Sequence, residues 1–153
     1  MSWSDGHKAA FAALAAATLV GGCQTISAPA DTEVRRPNAA IAERAASLYG
    51  DLAGKSAPDC SFASNQSSYA AMRADATALE QRVAAGPKDR PMRNAAAALS
   101  KTINAAELSH QRASETTDDP SGLCLAPGVV KLNSDALARA TGAIADLQQA
   151  RSQ

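Results

Sequence analysis

Residues 67–87 read SSYAAMRADATALEQRVAAGP. Tyr69, Met72, Ala76, Leu79 and Val83 recur at steps of three and four, the spacing that puts side chains on one face of an α-helix. Ser67 or Ser68 offers the hydroxyl that an N-cap prefers. Gly86-Pro87 ends the run, because proline lacks the amide N–H that helix continuation needs. The positions between the apolar ones are mostly alanine or charged, so the stripe is narrow. A narrow stripe on a long helix suits close packing at a shallow angle against similar helices.

Three further segments carry the same signature. Asn38 is a reasonable N-cap for a helix with Ile41, Ala45, Leu48 and Leu52, ended by Gly54. Pro91 suits the first turn of another, whose stripe is Met92, Leu99, Ile103, Ala106 and His110 and which frays over 115–119. The last runs from Val129 or Ser134 to near Arg151, with Val130, Leu137, Ile144 and Gln148 aligned. Residues 55–66 and 118–128 read as loops, and no repeat of 20–50 residues is present.

Composition agrees. The 153 residues include 38 alanines and only 3% aromatics, which argues for an all-α chain and against a β-sandwich or barrel. Fifteen basic residues balance fifteen acidic ones, so net charge gives no basis for nucleic-acid binding. The expected fold is an antiparallel up-down bundle of four helices, or of three with the first loosely attached.

Ahead of these segments, residues 9–20 read AAFAALAAATLV, an apolar run too short to span a bilayer, which takes about 20 residues. It follows Lys8 and leads into Val20-Gly21-Gly22-Cys23. An aliphatic residue, two small residues and a cysteine after a short apolar run resemble the lipobox of bacterial lipoproteins. The resemblance implies a signal peptide over 1–22, cleavage before Cys23, and a diacylglycerol on the Cys23 thiol. Gln24, rather than Asp, after the cysteine implies the periplasmic face of the outer membrane over the inner membrane. Residues 23–37 would then be a lipidated flexible tether, able to hold a domain at 38–153 up to about 45 Å away.

With Cys23 lipidated, Cys60 and Cys124 remain as an even pair in an oxidising compartment, which predicts a disulfide. A metal site needs about four ligands, and His110 is the one histidine after residue 23. In an up-down bundle the second and fourth helices start at the same end, so a Cys60–Cys124 bridge closes one end. The tether, the 86–91 turn and the C-terminus gather at the other, facing the membrane. That end collects Arg35, Arg36, Arg82, Lys88, Arg90, Arg93 and Arg151 among several acids, a modestly basic base or an ordinary solvated surface.

No catalytic constellation emerges. There is no G-x-S-x-G, and His110 lies on an apolar stripe, where a buried structural histidine is expected. Haem between His110 and Met72 or Met92 is disfavoured because there is no Cys-x-x-Cys-His for attachment, and the register of the second and third helices sets Met72 nearly a turn and a half from His110. Asp118-Asp119 lacks the alternating oxygen ligands of a calcium loop. Gly142 reads as a small residue at a close helix contact. Tyr49, Phe62 and Tyr69 should cluster at the disulfide end, as a cap on the core or a partner hot spot. No metal or cofactor is expected. The chain reads as a non-enzymatic envelope module binding an unspecified protein partner; the alternative is a periplasmic bundle binding a small ligand.

Overall fold

In a computed structural model, residues 32–86, 89–115 and 124–153 can be described. They form four helices and no strand: α1 Thr32–Leu52, α2 Phe62–Ala85, α3 Arg90–Glu115 and α4 Pro127–Arg151. Cross-helix pairs set the directions. Tyr69 meets His110, Arg73 meets Glu107 and Glu80 meets Ser100, so each step forward on α2 is a step back on α3. Glu33–Arg82 and Arg44–Asp75 pair α1 with α2 in the same antiparallel sense. Asn38 reaches Thr141, and α4 closes the ring against α1 and α3. The result is the expected up-down four-helix bundle, with α1 packed on both α2 and α4 rather than loosely attached.

Three helix boundaries depart from the sequence expectation. Helix α1 starts at Thr32, not Asn38, with Pro37 inside it. Proline deletes one backbone donor, but Val34 extends the stripe of Ile41 and Leu48 by one more step of seven and is only 1% exposed. Burial of that turn outweighs the lost hydrogen bond, and Asn38 is a buried mid-helix residue instead of a cap. Helix α2 starts at Phe62, not Ser67. Ser61 is its N-cap, accepting from the Ser64 N–H at 3.2 Å. Asn65 bridges the turn by donating to the Asp59 and Ser61 carbonyls. Helix α1 ends at Leu52, just before Gly54 as expected, whereas α4 opens at Pro127, ahead of Val129, with the proline in its first turn.

The core runs the length of the bundle. Large side chains such as Ile41, Met72, Leu79, Leu99, Ile103, Leu137 and Ile144 are fully buried, and Ala45, Ala76, Ala96 and Ala106 let the helices approach between them. Gly142 does not fill the expected role: a Cβ there would meet nothing within 4 Å, so no helix of this chain needs its small size.

Candidate functional site

Cys60 and Cys124 form a disulfide between residues 64 apart, with Cα atoms 5.5 Å from each other. Cys60 immediately precedes the cap of α2, and Cys124 lies three residues before α4. The bridge therefore ties together the two loops at the end where α2 and α4 begin. The Cys124 N–H donates to Cys60 Sγ at 3.1 Å, and Leu125 is buried beside them. Across the same end, the Phe62 N–H donates to Ser114 Oγ of α3 at 2.9 Å, satisfying a first-turn amide that has no partner within its helix.

Behind the bridge runs a hydrogen-bond chain. His110 Nε2 lies 2.8 Å from the Cys60 carbonyl, which can only accept, so Nε2 carries the proton. Nδ1 is then an acceptor, and the Tyr69 hydroxyl donates to it at 3.1 Å. Tyr49 in turn donates to the Tyr69 oxygen at 3.0 Å, with Asn133 of α4 beside the Tyr49 hydroxyl. Every link has one direction, fixed by the carbonyl at its end. Burial holds the His110 pKa below its ordinary value despite the Cys60 carbonyl, keeping the ring neutral. Burial likewise raises the Tyr49 hydroxyl, and raises Tyr69 further with the help of Tyr49 and Glu107.

Phe62 closes the cluster, its ring centroid 6.0 Å from Tyr69 and 5.8 Å from His110 in an edge-on arrangement. The expected gathering of Tyr49, Phe62 and Tyr69 is therefore present, with His110 at its centre. The arrangement leaves little room for chemistry on a substrate. Both imidazole nitrogens are engaged, the ring is 0% exposed, and the two hydroxyls are held protonated. Met72 and Met92 are core residues at 0% exposure. Among the described residues no group of three His, Cys, Asp or Glu could hold a metal ion. Ser114 and Asn133 belong to this end but carry no periodic or motif signal in the sequence.

At the opposite end, Arg82 pairs with Glu33 at 2.9 Å, and Arg151 pairs with Asp89. These contacts bring the start of α1, the α2–α3 turn and the end of α4 together, the gathering that the sequence implied. Arg35, Arg36, Arg90 and Arg93 make no ion pair among the described residues. Val20, Gly21, Gly22, Cys23, Lys88 and Asp118-Asp119 lie outside the described residues. No described helix is long and apolar enough to cross a membrane.

From this end, near Arg35 and Ser152, a concave surface extends along the bundle. A groove of about 560 Å³ follows the α1–α4 seam, lined by Ala42, Ala46, Ala138, Gly142 and Ala145, with Asn38 on its floor. Asn38 is 6% exposed; its Nδ2 donates to the Thr141 carbonyl at 2.9 Å, while its Oδ1 accepts no hydrogen bond. No family model, no curated protein and no solved structure matches this chain.

Proposed function

We propose that the chain is a lipid-anchored, non-enzymatic helical module of a bacterial envelope, held through Cys23 at the periplasmic face of the outer membrane. The observation that carries this reading is the Cys60–Cys124 disulfide. It suits an oxidising compartment, and it leaves Cys23, directly after Val20-Gly21-Gly22, as the cysteine outside the bridge. Lipid gives the module a fixed address, since two or more acyl chains anchor stably where one does not. The buried, fully engaged His110 chain favours a structural role for the bundle over catalysis.

Mass spectrometry of the protein isolated from membranes tests the anchor. The expected result is a first residue Cys23 carrying diacylglycerol. An unmodified chain starting at Met1 would overturn it. The second reading, a binder of small apolar molecules, is favoured only by the α1–α4 groove. It predicts a ligand-dependent rise in Tm that Gly142→Leu removes.

A further inference from the structure

We propose that the α1–α4 face docks against the same face of a second copy, across a two-fold axis parallel to the helices. This names the partner of the interaction module proposed above. Three observations carry it.

First, the face is built for close approach that nothing in the chain uses. Taking about 100° per residue, Ala39, Ala46 and Gly50 share the outward side of α1, and Ala138 and Gly142 the matching side of α4. A glycine inside a helix is disfavoured by about 1 kcal/mol relative to alanine. Gly50 and Gly142 both have nothing within 4 Å of where a Cβ would stand. Their smallness serves no contact within one copy, and it suits a helix laid against them. On the floor of the same groove, Asn38 leaves a buried acceptor without a donor.

Second, the rims are complementary under this axis. Asn38 opposite Thr141 fixes the levels of α1 and α4. The axis puts α1 of one copy, at unchanged height, against the antiparallel α4 of the other. Arg36 then stands within about one helical turn of the other copy's Asp146, and Glu43 equally near its Arg139. All four are exposed, and among the described residues Arg36, Glu43 and Asp146 make no ion pair. An axis across the helices would pair α1 with α1 and lose this match.

Third, the size and the geometry fit. Two helices of 21 and 25 residues present a face of about 600 Å² per copy, near 1,200 Å² in total, the lower end for a specific interface. The parallel axis also keeps both α1 starts at one end, as two copies anchored in one membrane require.

The test is photo-crosslinking of the full chain in intact cells, with a benzophenone amino acid at Ala46 and two differently tagged copies present. Adducts joining the two tags, linked from Ala46 to α4, are expected. A probe at exposed Lys101 on α3 should give none. Gly142→Leu, which has room to fold, should lower the adduct yield roughly tenfold or more. Arg36→Asp and Asp146→Arg should each lower it, and the double variant should restore it. Absence of tag-to-tag adducts, adducts only to other proteins, or no rescue by the double variant would overturn the proposal. Tag-to-tag adducts from a chain shown to be unlipidated would leave the dimer standing and remove only the anchor.

Discussion

His110 Nε2 donates to the backbone carbonyl of Cys60 at 2.8 Å, so a side chain from the last third of α3 holds the residue that carries the bridge to α4. Through Tyr69 and Tyr49 the same ring is tied to α2 and α1. All four helices thus converge on one buried imidazole and one disulfide, and the stability of this end should respond to both.

The imidazole makes stability depend on pH. With its folded pKa below the ordinary 6.5, the unfolded chain binds more protons than the native one between the two values. Stability is therefore fully present above 6.5 and falls as pH drops through it. Urea midpoints should decline between about pH 7.5 and about pH 5.5, and His110→Phe should flatten that decline. An unchanged slope in the variant would assign the effect to other groups.

Removing hydroxyls tests the connectivity of the chain. Tyr69→Phe leaves His110 Nδ1 without a donor and Tyr49 without an acceptor, which should cost about 1–3 kcal/mol. Tyr49→Phe removes only the last donor and should cost less. Denaturant unfolding of the two variants gives the order, and the reverse order would contradict the place of Tyr69 as the middle link between Tyr49 and His110.

The disulfide constrains a long loop in the unfolded chain. With the partners 64 residues apart in sequence, the chain-entropy model gives about 4 kcal/mol. Cys60→Ala with Cys124→Ala should lower the unfolding free energy by that order. Helical circular dichroism should be retained below the transition, because both cysteines lie in loops outside the helices.

The early start of α1 has its own test. Val34→Ala removes a fully buried side chain and should destabilise the protein by about 2 kcal/mol. The same substitution in an unpacked tether would change nothing measurable. Thermal unfolding distinguishes the two.

The sequence made the helix count, the stripes and the bridge legible, because these rest on spacing and on cysteine parity. Tyr69–Val83 and Met92–His110 appear in the core as read. The boundaries did not follow as readily. Pro37 and the polar run 61–68 look like breaks locally, but Val34 burial and the Ser61 cap, which depend on neighbouring helices or on turn geometry, extend the helices through them. The His110 chain was half visible: periodicity placed the residue inward, whereas its partners Cys60, Tyr69 and Ser114's neighbour Phe62 meet only through topology. Gly142 was misread because spacing shows that a small residue faces something without showing whether that something belongs to the same chain.

The start of α1 at Thr32 also sets a distance. Between Cys23 and the first helical residue lie the eight residues 24–31, a leash of at most about 26 Å rather than 45 Å. Adding helices roughly 36 Å long puts the disulfide-bearing tip no more than about 60 Å above the bilayer on the proposed anchor. A module so tethered samples a shallow layer next to its own membrane, and any partner it meets has to come into that layer.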